Sequence, residues 1–261
     1  MSTVISLINL KGGVGKTVSS INIAYSLAKL EKRVLIIDTD SQGNIATSLG
    51  MNFDGEINTL VDLMNEVIEG EVSFERIQEC TYSAGAVDVI PSNFMLAGID
   101  YKLMNAYNRE CVLKNIIDTI RSSYDYIIVD CPPSLGLIVT NALTASDSVL
   151  IPVEAQYLSF ESLKVMLSTI QMVKKKLNRS LEIAGVFLTM YQSRTKLSKG
   201  IKDKICEIYG DDIHIFEDWI PYTIKAAEQT LYGRSLIDLE PNHPVSVAYM
   251  NITKELIADG R

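Results

Sequence analysis

Asn9-Leu10-Lys11-Gly12-Gly13-Val14-Gly15-Lys16-Thr17 is the stretch whose reading decides the fold. It follows an apolar run, Val4 to Ile8, and opens a helical pattern, Val18 to Leu30. A buried strand, a glycine turn and a helix N-terminus together make a phosphate site. The glycines let backbone N–H groups converge on an anion without side chains in the way. The helix dipole adds partial positive charge at the same point. Lys16 is placed to reach the β/γ-phosphates of a nucleotide, and the Thr17 hydroxyl to ligate Mg²⁺.

Two further strands end in carboxylates. Val34-Leu35-Ile36-Ile37 is fully apolar, as a parallel strand buried on both faces must be, and it runs into Asp38-Thr39-Asp40-Ser41-Gln42-Gly43-Asn44. Tyr126-Ile127-Ile128-Val129 delivers Asp130, followed by Cys131-Pro132-Pro133-Ser134. Open α/β sheets place ligands at the carboxyl ends of their strands. Asp38 and Asp40 therefore suggest metal and water handling, and Asp130 has the Walker B pattern of one carboxylate beside Mg²⁺. Further strands are predicted at Val87–Pro91, Ser148–Val153 and Ile183–Met190. Helices are predicted at 59–69, 73–79, 93–121, 158–177 and 244–258, with another opening after Tyr191. The expected architecture is α/β: one domain over residues 1–261, a twisted, mostly parallel sheet with helices on both faces.

Composition narrows the function. Hydrophobic residues make up 47% of the 261, and the formal net charge is −8. No apolar run approaches the roughly 18–20 residues of a membrane span, and the amino terminus has no leader pattern. The four cysteines include no C-x-x-C pair, and the two histidines, His214 and His243, are too isolated for a metal site. An acidic chain argues against nucleic acid as a partner. The charge is uneven, however: nine basic residues lie between Lys174 and Lys204, with only Glu182 and Asp203 opposing. A local basic face acts locally, because the field decays within a Debye length.

The P-loop departs from G-x-x-x-x-G-K-[ST]: Leu10 occupies the first glycine position, and Lys11 precedes the glycine pair. In this form it resembles the deviant Walker A box of the ParA/MinD superfamily. Asp38 to Asn44 is similar to that family's Asp-x-Asp-Pro-Gln-Gly-Asn box, with Ser41 in place of proline. Thr189-Met190-Tyr191-x-x-Arg194-Thr195-x-Leu197-Ser198 and Ile220 to Glu228 resemble two later family segments. The likeness runs from Val4 to Leu256 and is nearest to the short ParA type, since no helix-turn-helix pattern precedes the P-loop.

The resemblance implies an ATPase using ATP and Mg²⁺. Lys11 reaches the partner's nucleotide in a homodimer, and Asp40 activates the attacking water. Asp38 and Asp130, with Thr17, support the metal. Gly12, Gly13, Val14, Gly15, Lys16, Thr17 and Val18 surround the phosphates; Val18 replaces a commonly seen threonine. Met190 and Pro221 lie near adenine. Arg194 and Lys225 match DNA-contacting positions, and Lys196, Lys199 and Lys202 extend the basic face. Non-specific DNA and a ParB-like centromere-binding protein are the implied partners. The place is the cytoplasm, on the nucleoid when ATP is bound. No membrane anchor is expected, because the ending Lys254 to Arg261 has mixed charge and little apolar face. The alternatives are a MinD-like membrane-cycling regulator and a metabolic P-loop ligase of the dethiobiotin synthetase kind.

Overall fold

Strands built from branched apolar residues bury both faces only between two layers of helices, and the chain folds accordingly. The computed structural model describes residues 2–53 and 55–258. The strands are β1 (Thr3–Leu7), β2 (Val34–Asp38), β3 (Tyr82–Ala84), β4 (Val87–Ile90), β5 (Tyr126–Asp130), β6 (Ser148–Glu154) and β7 (Glu182–Thr189). They form one sheet in the order β3-β4-β2-β5-β1-β6-β7, with every pair parallel except β3 with β4. The sequence reading missed β3, three residues joined to β4 across Gly85, whose φ of 68° suits the tight reversal.

The helices are α1 (Lys16–Lys29), α2 (Asn44–Ser48), α3 (Leu60–Glu69), α4 (Phe74–Glu79), α5 (Ile99–Met104), α6 (Val112–Ile120), α7 (Leu137–Ala145), α8 (Tyr157–Lys176), α9 (Lys196–Tyr209), α10 (Lys225–Tyr232), α11 (Leu236–Leu239) and α12 (Pro244–Ala258). On one face of the sheet, Leu63, Leu103, Leu113, Ile117, Leu143, Leu163 and Ile205 join the core. On the other, Ile21, Leu27, Ile45, Leu236, Tyr249 and Ile252 do so. Helix α1 is buried almost all round, from Ser19 to Leu27. Each of its fully buried Ile21, Ile23 and Leu27 side chains contributes about 1.5–3 kcal/mol of apolar transfer. That anchoring holds the first turn of α1, and hence Lys16, at a fixed height above the sheet.

Two predicted helices need correction. The long helical region expected over 93–121 is not continuous: it is a 3₁₀ turn at Phe94–Gly98, then α5, then an irregular link, then α6. Asn108 in that link has a φ of 51°, which a continuous helix forbids. The apolar residues there, Leu103, Val112, Leu113, Ile116, Ile117 and Ile120, are nonetheless buried. The helix expected to open after Tyr191 starts at Lys196 as α9; its Ile201 and Ile205 are buried, while Leu197 and Ile208, at helical spacing from them, are 57% and 46% exposed. The last three residues of the mixed-charge ending lie outside the described residues.

Candidate nucleotide site

Sheet register assembles the site. Leu7, the end of β1, is paired with Asp130, and Asp130 is paired with Asp38. The loop after β1 therefore starts beside two strand-end carboxylates, where the connections from β1 and β5 diverge to opposite sides of the sheet. Gly13 and Gly15 take φ values of 74° and 85°, a backbone region that excludes most side chains. Gly15 caps α1 without a side-chain acceptor, so the N–H groups and dipole of its first turn are open to an anion.

Long-range hydrogen bonds pin the loop. Asn9 Nδ2 donates to Pro152 O at 2.7 Å, while Asn9 Oδ1 accepts from Lys11 N at 2.9 Å. Thr189 Oγ1 donates to Val14 O at 2.9 Å. The Val14 side chain is buried, so any part it takes at the phosphates is through its backbone.

Lys16 is buried, and its Nζ donates to Lys11 O at 3.2 Å. Burial pulls the Lys16 pKa below its ordinary value, against the opposing charge of Asp130 foremost. Thr17 Oγ1 donates to Asp130 Oδ2 at 2.8 Å, and Ser20 Oγ donates to Asp130 Oδ1 at 2.7 Å. Burial raises the Asp130 pKa, while the two hydroxyl donors and Lys16 hold it down. Asp38 is fully buried, and its pKa is raised by that burial and by the adjacent Asp130. Its oxygens accept from Asp40 N at 3.0 Å and Ile45 N at 3.1 Å. Asp38 therefore shapes the loop that carries Asp40, a role that the spacing did not convey. Asp40 Oδ1 accepts from Gln42 N at 3.0 Å, which closes the next turn.

These groups fit a divalent cation of the Mg²⁺ kind. Among the described residues no cluster of three His, Cys, Asp or Glu could cage a metal. Mg²⁺ asks for less: one or two carboxylates, waters and substrate phosphates. Thr17 directs its proton at Asp130, which leaves its oxygen lone pairs for a cation.

Above the loop lies an open cleft of about 600 Å³. Gly12, Gly13, Gly15, Lys16, Thr17 and Val18 form its floor, Asp40 and Asn44 one wall, and Met190 with Tyr222, Thr223 and Ile224 another. Met190 has a φ of 52°, a strained conformation for a non-glycine residue of the kind found at functional sites. Pro221 stands at the edge of this segment. It bridges Tyr191 and fixes the segment's path, while the three residues after it line the cleft. Ala226, from the same Ile220 to Glu228 segment, lines it too, as do Asn44, Pro133 and Thr230, which were not among the predicted site residues.

Lys11 turns away from the cleft floor. Its Nζ donates to Glu154 Oε2 at 2.5 Å, to Gln156 Oε1 at 3.0 Å and to Ser159 Oγ at 3.5 Å. Glu154 lies at the end of β6, 143 residues away, so spacing alone gave no sign of it.

The predicted basic residues fall into two groups. Arg194, Lys196 and Lys199 are exposed. Lys202 lies over the Trp219 ring at 4.1 Å, and Lys225 is paired with Glu240 at 2.9 Å and Glu228 at 3.0 Å. The bridge between Tyr191 and Pro221 brings the Arg194 and Lys225 segments alongside each other.

The family model described as an AAA domain matches residues 2–183. The chain is 38% identical to the sporulation initiation inhibitor protein Soj of Bacillus subtilis over 260 residues, covering all of both chains. It is 35% identical to the chromosome partitioning protein ParA of Myxococcus xanthus, over 97% of this chain and 87% of that one. Among solved structures, a cobyrinic acid a,c-diamide synthase from Mycobacterium smegmatis with bound ADP and magnesium superposes with a TM-score of 0.84. The two are 27% identical, and the match covers 100% of this chain and 97% of that one. With a Lys11-Gly12-Gly13-Val14-Gly15-Lys16-Thr17 loop at the head of this sheet and full-length relatives of this kind, the chain belongs to the ParA/MinD family of deviant Walker A ATPases, alongside Soj and ParA.

Proposed function

We propose that this chain is a nucleotide-gated DNA partition ATPase. With ATP and Mg²⁺ two protomers close face to face, the pair binds DNA through its phosphates, and hydrolysis releases it. The observation that carries this reading is the convergence of Lys16, Thr17 and Asp40 on one cleft directly after Lys11, in a chain similar to Soj from end to end. Lys16 and the amino end of α1 hold the β/γ-phosphates. Thr17, backed by Asp130, holds Mg²⁺, whose charge when bound offsets that of the phosphates. Asp38 fixes the loop, and Asp40 orients the water that attacks the γ-phosphate. Lys11 leaves Glu154 and reaches across to the partner protomer's phosphates, a cation supplied in trans.

Arg194, Lys196 and Lys199 supply the DNA-facing charge, since phosphate contacts need no sequence information. Lys202 and Lys225 contribute to the extent that they leave Trp219 and the two glutamates. A ParB-like partner accelerates hydrolysis, and the ATP-bound dimer resides on the nucleoid in the cytoplasm. One domain spans residues 1–261. The likeness to a diamide synthase favours a second reading, a ligase that amidates a carboxylic acid; that reading predicts turnover dependent on an acid substrate and indifferent to DNA.

The Lys11–Glu154 contact offers a direct test. Holding Lys11 in place opposes its use in trans. The pair is partly exposed, with side-chain exposures of 26% and 12%, so its contribution is about 1 kcal/mol. Glu154→Gln is expected to lower the ATP concentration at which the dimer forms by roughly fivefold. Light scattering of the eluting protein across an ATP series measures this. An unshifted midpoint, or a protein that stays monomeric with ATP in both forms, contradicts the proposed use of Lys11.

A further inference from the structure

Thr17 and Ser20 stand three residues apart on α1, a spacing that puts both on one face of a helix. Both side chains end on the same carboxylate. Thr17 donates to Asp130 Oδ2 at 2.8 Å and Ser20 donates to Oδ1 at 2.7 Å. Ser20 is 0% and Asp130 1% exposed, so bulk water does not replace either donor. The terminal torsion of an aspartate is soft and broad, and one hydroxyl on each oxygen is what confines it here. Ser19, the next residue back, points elsewhere: its Oγ is 2.9 Å from the Tyr249 hydroxyl on α12.

We propose that Ser20 is a positioning residue for Mg²⁺ in this site: it locks the rotation of Asp130, which in turn fixes the direction of the Thr17 hydroxyl. The inference rests on the Mg²⁺–nucleotide reading given above. Thr17 offers its lone pairs to a cation only while its proton stays on Asp130 Oδ2. Remove Ser20, and Oδ1 becomes a buried oxygen with its donor gone. Asp130 then turns to recover a partner, and Thr17 loses its orientation. Lys16 keeps its own bond to Lys11 O and the amino end of α1 stays in place, so the phosphates still bind.

The test compares wild type, Ser20→Ala, Ser20→Cys and Ser19→Ala. Binding of a fluorescent ATP analogue is measured without divalent cation and across a Mg²⁺ series, and Mn²⁺ binding is followed by paramagnetic resonance. Losing a group that orients a metal ligand typically costs tenfold or more in metal affinity. Ser20→Ala is therefore expected to raise the Mg²⁺ and Mn²⁺ half-saturation about tenfold, while metal-free binding of the analogue stays at the wild-type level. Ser20→Cys fills the same space with a weak S–H donor and falls between the two. Ser19→Ala removes a buried hydrogen bond of similar kind and lowers the melting temperature, yet keeps the wild-type metal dependence. Wild-type metal dependence in Ser20→Ala, or an equal shift in Ser19→Ala, overturns the proposal. A wild-type protein that binds the analogue with no response to Mg²⁺ overturns the reading beneath it instead.

Discussion

Lys16→Ala is expected to weaken ATP binding by a factor of about 10²–10⁴. The ammonium of Lys16 is buried at the head of α1 and donates to Lys11 O within the loop. Desolvation lowers its pKa, and a phosphate supplies anionic oxygens in place of the water that burial removed. Charge-assisted hydrogen bonds of this kind contribute roughly 1.5–3 kcal/mol each. Two of them, to β- and γ-oxygens, account for the stated factor. The fold is expected to tolerate the change, because most of the buried surface of α1 lies further along, from Ser19 to Leu27. Calorimetric titration with ATP and Mg²⁺ reads the result. Affinity within about threefold of wild type removes Lys16 from the phosphate site.

Asp40→Asn is expected to reduce turnover by about 10²–10⁴, the usual contribution of a positioned general base, with ATP affinity nearly unchanged. The asparagine variant is more informative than alanine. Asp40 Oδ1 accepts from Gln42 N, and an amide oxygen still can. The turn is therefore kept while the carboxylate's ability to polarise water is lost. Asp40→Ala removes both, so a difference between the two variants isolates what the turn contributes. Single-turnover phosphate release, with nucleotide affinity measured alongside, separates hydrolysis from binding. A rate for Asp40→Asn within about threefold of wild type assigns the water-activating role elsewhere.

What the sequence made legible was whatever is contiguous. Lys16, Thr17, Asp38, Asp40 and Asp130 each stand in a short segment where strand, turn and helix follow one another, and the parallel register then brings those segments together. Direction within a motif was less legible. Val14 sits between cleft-lining glycines, yet its side chain is buried and its carbonyl accepts from Thr189. Pro221 matched a base-pocket position, but Tyr222, Thr223 and Ile224 line the cleft. Partners distant along the chain were not legible at all. Glu154 holds Lys11 across 143 residues, and Ser20 meets Asp130 across 110. The break between α5 and α6 was hidden for a different reason. Their apolar residues keep helical spacing, while a left-handed Asn108 interrupts the backbone between them.

The surface shows the same division. Lys196, Lys199 and Lys202 read alike as a basic stripe on α9, but one of them is placed over Trp219. Lys225 carries two carboxylate neighbours, Glu228 and Glu240, that offset its charge at the surface. Charge counted along a sequence therefore overstates the charge available to a polyanion.

The most direct test of the account is retention of the protein on non-specific duplex DNA with ATP, with ADP and with neither, across a salt series. The account predicts retention with ATP only, persisting in the Asp40→Ala variant and falling steeply with salt as released counterions require. Equal retention in all three nucleotide conditions, or none in any, contradicts it.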